Sequence, residues 1–298
     1  MGSRMTTVEN TPARPAVEAI RHHYEISNDV YRIILGPPMM YSGGYWNEGE
    51  DLREGHDEAQ YRKLDAFIEL AKAKGANKVL DIGSGWGTML DRVTRLHGAK
   101  KAVGVTLSRT QKEFVDSLGN PDVEIIVESW ADHTAEEKYD AAFCVNALEH
   151  FVLSSLPPKE RINSFRHFFG HVHSLLKEDG RFVLHMMTIE PPPLQRKLLD
   201  DLKFLQREEF EGCYIPHTHE LIQAIGNKFE IIEIKNERET FSEACRAWLL
   251  NLADERERAV ALSSEEVVQR FERYLDIFAY TLEDKVFNNF RIVLQRNP

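Results

Sequence analysis

Residues 81–88 read D-I-G-S-G-W-G-T, after the apolar K-V-L and ahead of M-L-D-R-V-T-R-L, whose spacing is helical. Three glycines in five positions, between a strand-like and a helix-like run, mark a turn where the backbone approaches a ligand closely. A dinucleotide site would want G-x-G-x-x-G, a pyrophosphate on the helix N-terminus and an acid at the end of the second strand. Here the spacing is G-x-G-x-G, Trp86 fills the loop, and the second strand ends in Thr106-Leu107-Ser108. No G-K-[ST] follows, which excludes a P-loop. S-adenosyl-L-methionine carries no pyrophosphate, so such a loop suits it better, with Asp81 orienting the turn or meeting the donor's ammonium group. The loop alone does not separate the two cofactors.

Outward from the loop, short β-rich runs recur at 78–83, 102–107, 123–128, 139–145, 181–188, 229–234 and 290–295. Helical segments separate most of them, and the first four are too apolar for a half-exposed hairpin sheet. The pattern predicts an α/β, Rossmann-like fold, a seven-stranded mostly parallel sheet with helices on both faces and a helical cap. Before the sheet, helices are expected up to G-P-P at 36–38, the second one capped by Ser27, Asn28 or Asp29, and again over 58–74, with Leu64, Phe67, Ile68 and Leu70 on one side. Residues 1–15 read as a disordered tag and N-terminal arm, M-G-S-R being a tag remnant before a natural start at Met5. A single domain is expected over 16–298: a cap at 16–75, a cofactor-binding core at 76–188, lid insertions at 189–226 and 240–283, and the last strands at 227–239 and 284–298.

With 298 residues and 42% hydrophobic residues the chain can bury a sizeable core. A net charge of −11 argues against nucleic acid as a partner. No apolar run suggests integral membrane association and no signal peptide is evident. The three scattered cysteines read as reduced thiols, so a cytoplasmic location is expected. A homo-oligomer stays open, because the N-terminal helix could pack on a second copy. His167, His171 and His173 imitate ligand spacing, but no acid or cysteine completes a convincing set, so no metal is expected. P-H-T-H-E at 216–220 looks similar, but reads as a helix start capped by Thr218. The D-E-R-E-R run at 254–258 reads as solvated helix surface. Phe204, Phe210, Tyr214, Trp248, Phe278 and Tyr280 would line the lid, which points to a hydrophobic small-molecule substrate.

Several ordered motifs carry a resemblance: H-Y-E-I-S-N-D-V-Y-R at 23–32, M-Y-S-G-G-Y-W at 40–46, V-L-D-I-G-S-G-W-G at 79–87 and G-V-T-L-S-R-T-Q at 104–111. S-W-A at 129–131, A-L-E-H-F at 147–151, V-L-H-M at 183–186, R-A-W at 246–248 and S-S-E-E-V near 265 continue it. From about Ile20 onward the chain resembles the cyclopropane-fatty-acid synthase family of S-adenosylmethionine-dependent methyltransferases, with the mycolic acid cyclopropane synthases and, on a related branch, plant benzylisoquinoline N-methyltransferases. The resemblance implies that Tyr41, Ser42, Gly83 and Gly85 hold the methionine end of the donor. It implies that Thr106 and Gln111 meet the ribose, that Ser129 and Trp130 flank adenine, and that Leu107 and Asn146 touch the cofactor. Trp130 as a core aromatic, and Tyr41 as a packing residue of the lid, remain alternatives.

Methylating an alkene leaves a carbocation that must lose a proton. The family's cyclopropane synthases are understood to hold a bicarbonate for this, through a cysteine, a glutamate, a histidine, a tyrosine and a backbone group. Glu149 matches the glutamate and His185 the histidine, whereas the cysteine of the family's Y-S-C is Gly43 and the tyrosine is Phe241. Two missing polar ligands should leave the anion poorly held, so ring closure on a lipid is expected to give way to simpler C-methylation of a hydrophobic small molecule in specialised (natural-product) metabolism. N-methylation, lipid cyclopropanation and an inactive binding protein follow in that order. Catalytic candidates are Glu149, as base or cation stabiliser, with His150 or His185 assisting, and Tyr24 closing over the substrate. Glu149 as a helix N-cap, and His150 or His185 as packed imidazoles, are the bland alternatives.

Overall fold

The computed structural model describes residues 27–190, 196–208 and 210–298; Tyr24 and the expectations for residues 1–15 lie outside them. Seven strands form one sheet: β1 (Val79–Ile82), β2 (Ala102–Thr106), β3 (Val123–Val127), β4 (Tyr139–Val145), β5 (Leu176–Ile189), β6 (Phe229–Asn236) and β7 (Phe287–Arg296). Their order is β3-β2-β1-β4-β5-β7-β6, with β7 antiparallel to both neighbours and the other pairings parallel. β1 and β2 are buried along their whole length, which is why they read as unbroken apolar runs. β6 is the opposite case, an edge strand carrying Glu230, Glu233 and Lys235, whose charges guard its free side.

Helices α1 (Asn28–Leu35), α2 (His56–Leu70), α3 (Thr88–Arg95), α4 (Arg109–Ser117) and α5 (Pro158–Leu175) precede β5. α6 (Arg196–Glu208) and α7 (Thr218–Ile225) follow it, and α8 (Arg238–Asp254), α9 (Arg256–Leu262) and α10 (Glu265–Glu283) lie between β6 and β7. Side chains alternate across the sheet: Leu80 and Ile82 join one apolar cluster with α5 and α7, and Val79 joins another with α2 and α3. A third cluster gathers α1, Phe204, Phe210, Trp248, Phe271 and Phe278 into a cap.

Several boundaries differ from the sequence reading. α2 stops at Leu70, before Lys72 and Gly75, which both take positive φ. β5 begins at Leu176, paired with Tyr139, and resumes at Arg181 after Asp179 turns with φ 64°. Ser27 caps α1 as expected, its side chain accepting the Asp29 N–H at 3.2 Å. The cap of α7 is His217, not Thr218: Glu220 reaches back to the His217 N–H at 3.0 Å. α7 buries Leu221, Ala224 and Ile225 against the sheet and α5, while Tyr214 bonds Glu220 and lies under Arg161, away from the cap.

Candidate functional site

The strand order reverses between β1 and β4, and their C-terminal loops meet there, where open α/β sheets bind ligands. Gly83, leaving β1 with φ 79°, faces Ala147, leaving β4; a Cβ on Gly83 would lie 2.3 Å from the Ala147 Cβ. Gly85, at φ 53°, has no atom within 4 Å of where its Cβ would stand. The glycine loop thus presses on the β4 loop at one point and leaves the backbone bare at the next. Trp86 also packs into the cap, its indole donating to Asn28 Oδ1 at 2.9 Å.

A pocket of about 1090 Å3, its mouth included, opens at this junction. Tyr41, Ser42, Asp81, Gly83, Gly85 and Asn146 all line it. So do Thr106, Leu107, Gln111, Ser129 and Trp130 at the other end. Thr106 donates to Gln111 Oε1 at 2.7 Å, fixing two polar side chains on one wall. Trp130 stacks on Phe151 at 5.8 Å and meets His167 and His171 edge-on, which accounts for two of the three suspicious histidines; His173 bonds the Asn297 carbonyl at 3.0 Å. Tyr41 Oη, Asp81 Oδ1, Ser84 Oγ, Trp130 Nε1 and Asn146 Oδ1 are buried polar atoms without a partner among the described residues. Buried polar groups are normally paired, so a wall carrying five bare ones suits a ligand with its own polar groups. Burial raises the Asp81 carboxyl to about 7. Ser84, Ser108 and Glu128 also line the pocket and went unnoticed in the sequence; Ser84 lies inside the glycine loop and Glu128 beside Ser129.

A second cavity, about 410 Å3, adjoins the first and shares Tyr41, Asn146 and His150 with it. Its far walls are aromatic, from Phe210, Phe241, Trp248, Tyr274 and Phe278. Of the six aromatics expected to line the lid, Phe210, Trp248 and Phe278 do so, whereas Phe204, Tyr214 and Tyr280 do not reach the cavity. His150 stacks on Phe210 at 5.5 Å. One carboxylate faces these walls. Glu149 lies in a 3-10 turn (Leu148–His150), not as an N-cap. Its Oε1 accepts the Met187 N–H at 2.6 Å and Asn146 Nδ2 at 3.1 Å, and its Oε2 is buried without a partner among the described residues. Burial raises this carboxyl to about 7 against the pull of the Met187 N–H. Asn146 is held between the two cavities in the left-handed region, φ 46°, by its N–H to the His185 carbonyl at 2.7 Å.

The family profile described as mycolic acid cyclopropane synthetase matches residues 11–292. The chain belongs to this family. Among relatives, the S-adenosylmethionine-dependent methyltransferase UmaA of Mycobacterium tuberculosis is 26% identical over 279 residues, covering 89% of this chain and 92% of its own. Cyclopropane mycolic acid synthase 3 of the same organism is 28% identical over 287 residues, 90% of this chain and 92% of its own. The solved cyclopropane synthase MmaA2, also from M. tuberculosis, superposes with a TM-score of 0.86 at 25% identity, covering 96% of this chain and all of that one. The chain is accordingly an S-adenosylmethionine-dependent methyltransferase. Among the described residues no helix is long and apolar enough to cross a membrane.

The anion site that the family resemblance implies does not fit this member. A Cβ on Gly43 would come within 2.8 Å of Thr240 Oγ1 and 3.1 Å of the Phe241 N, so the first turn of α8 occupies the space of a side chain there. Phe241 lines the cavity without a polar atom. His185, expected to assist catalysis, is buried and lines neither cavity; its Nε2 lies 2.9 Å from Asn289 Nδ2 and 3.6 Å from Glu237, and its ring meets Phe67. Burial pushes its pKa down to about 3 despite Glu237, so the imidazole is neutral and accepts from Asn289. Among the described residues Glu149 is the one carboxylate lining the cavity.

Proposed function

We propose that this methyltransferase adds the methyl group of S-adenosylmethionine to an alkene carbon of a hydrophobic substrate, a lipid chain being the favoured acceptor. The carrying observation is the buried Oε2 of Glu149, without a partner among the described residues, in an aromatic cavity that shares Tyr41, Asn146 and His150 with the donor pocket. Family membership favours a lipid over the specialised-metabolism small molecule, since the family and its cyclopropane mycolic acid synthase 3 are named for mycolic acids.

The bound donor supplies an electrophilic methyl on a sulfonium centre. Tyr41, Ser42, Gly83 and Gly85 hold its methionine end, Asp81 faces its ammonium, Thr106, Leu107 and Gln111 take the ribose, and Ser129 and Trp130 flank the base; Asn146 sits where donor and acceptor meet. The aromatic cavity aligns the acceptor and excludes water. Glu149 stabilises positive charge on the acceptor and receives its proton. His150 borders both compartments. A proton taken from the new methyl closes a cyclopropane ring, the second reading, which family membership favours. A proton taken from a neighbouring carbon leaves a methyl-branched alkene.

The test is incubation with labelled donor and separate acceptors: a monounsaturated phospholipid, a free cis-alkenoic acid, a prenyl alcohol and an aromatic secondary amine. Label on carbon of an alkene is expected, and proton NMR of the product separates ring from branch. Label appearing on the amine nitrogen alone would reject C-methylation. A narrower expectation concerns Gly83→Ala. The added Cβ must push against Ala147 and adopt φ 79°, so the fold should lose about 1–3 kcal/mol. Binding of S-adenosylhomocysteine should weaken as well, measured by denaturant titration and calorimetry.

A further inference from the structure

Behind the donor pocket lies a buried lysine that the proposed chemistry does not use. Lys63, on α2, is fully buried, as are Gln60 one turn before it and Ser42 in the pocket wall. The Lys63 ammonium donates to Ser42 Oγ and, at 2.9 Å, to Gln60 Oε1. Gln60 Nε2 in turn donates to the Ser42 carbonyl at 2.9 Å. The hydroxyl and the carbonyl of Ser42 are thus both gripped from α2. The same loop is stitched to α2 again at Tyr45, whose N–H bonds the Ala59 carbonyl at 2.8 Å and whose carbonyl accepts Arg62 Nε at 2.8 Å.

A serine hydroxyl has one proton to give. An ammonium occupying its oxygen's lone pair directs that proton elsewhere, and the open direction is the pocket that Ser42 lines. The positive charge behind the hydroxyl also makes it a stronger donor to an anion. The methionine end of S-adenosylmethionine carries such an anion, its carboxylate. We infer that Lys63 and Gln60 are positioning residues for the methyl donor, holding and polarising Ser42 so that it binds the donor's carboxylate. The inference rests on the placement of the methionine end at Tyr41–Ser42.

The surroundings of Lys63 agree with a charge held in reserve. Burial lowers its pKa to about 7, with Glu237 acting in the opposite sense. Glu237, from the β6–α8 junction, is itself bonded to Tyr45 and Arg291, and His185 of β5 lies against it. A carboxylate arriving at Ser42 favours the charged lysine, so binding takes up a proton. Affinity should therefore fall as pH rises above about 7. Asp81, across the pocket, titrates in the same range with the opposite trend if it meets the donor ammonium, so the informative quantity is the difference between wild type and the lysine variant.

The experiment is calorimetric titration of S-adenosylhomocysteine and of 5′-methylthioadenosine, which keeps the adenosine but lacks the amino-acid end. Proteins are wild type, Lys63→Met, Lys63→Arg, Ser42→Ala and the Lys63→Met/Ser42→Ala double variant. Lys63→Met should weaken S-adenosylhomocysteine about 10- to 100-fold, the size of one charge-assisted hydrogen bond, and methylthioadenosine less than about twofold. It should add little in the Ser42→Ala background and should abolish proton uptake, measured in buffers of different ionisation enthalpy. Retained methylthioadenosine binding shows that the variant is folded; if Lys63→Met does not fold, Lys63→Arg must show the same ligand discrimination in weaker form. Equal weakening of both ligands, or full additivity with Ser42→Ala, overturns the inference. If Ser42→Ala itself does not discriminate between the ligands, the placement of the methionine end fails, and the inference with it.

Discussion

Glu149→Gln is expected to slow single-turnover methyl transfer by about 10²- to 10⁴-fold, the usual range for loss of a positioned base. S-adenosylhomocysteine affinity should stay within about twofold, since Glu149 touches the acceptor cavity and not the donor pocket. The substitution isolates charge from shape. A glutamine carbonyl can still accept the Met187 N–H and Asn146 Nδ2, which now hold Oε1, so the turn at 148–150 keeps its anchor. What disappears is the negative charge and the proton acceptor at Oε2. A pH profile adds a sign. The carboxyl, raised by burial to about 7, works only when ionised, so kcat/KM should rise with pH and level off above about 7, and Glu149→Gln should remove that limb. Stability should move the other way. A carboxyl whose folded pKa lies above its unfolded value of about 4.5 contributes stability that is complete below that value and is lost as pH rises through about 7. Above pH 7, Glu149→Gln should therefore unfold at a higher denaturant concentration than wild type. A variant with near-wild-type turnover, or one inactive because it no longer binds S-adenosylhomocysteine, would sink the role given to this carboxylate.

The donor half of the molecule was legible because its signals are local. The glycine loop is such a short-range pattern, and Asp81, Gly83 and Gly85 from it line one pocket; Thr106 and Gln111, which only the family resemblance singled out, line it too. The ends of elements were less legible. Nothing in L-K-E-D-G-R shows that Leu176 pairs with Tyr139 before the chain turns at Asp179. The departures Gly43 and Phe241 were visible in sequence, but their common cause was not: residues 43 and 240–241 are far apart in the chain, and only the fold puts Thr240 against Gly43. His185 shows the converse. Its motif suggested chemistry, while its partners Asn289 and Glu237, both distant, hold it off the cavity. Lys63 escaped notice because a lysine normally reads as surface, although it follows Gln60 and precedes Phe67 on the helix face that is buried. Its burial becomes intelligible only with Ser42 and Glu237 in place.

Trp248→Ala should be the most damaging single change to the cap, costing about 3–5 kcal/mol of folding free energy. Trp248 is among the largest fully buried side chains, in the α8 segment R-A-W whose Arg246 pairs outward with Asp276 and Glu283 of α10. Inward, its indole donates to His56 Nε2 at 3.0 Å, tying α8 to the start of α2. Its ring lies 5.2 Å from Tyr41 and 6.1 Å from Phe241. Truncation removes the apolar contacts, opens a cavity and leaves a buried imidazole nitrogen short of a donor. Trp248→Phe keeps most of the ring and loses the bond, so it should cost about 1–3 kcal/mol. The two variants separate packing from hydrogen bonding in a guanidinium titration. Because Tyr41 belongs to both compartments, the damage should reach the donor: S-adenosylhomocysteine binding should weaken in Trp248→Ala at temperatures where the protein is still folded. Unchanged affinity there, with stability reduced as expected, would mean that the 41–43 loop takes its position from α2 alone and owes nothing to the cap.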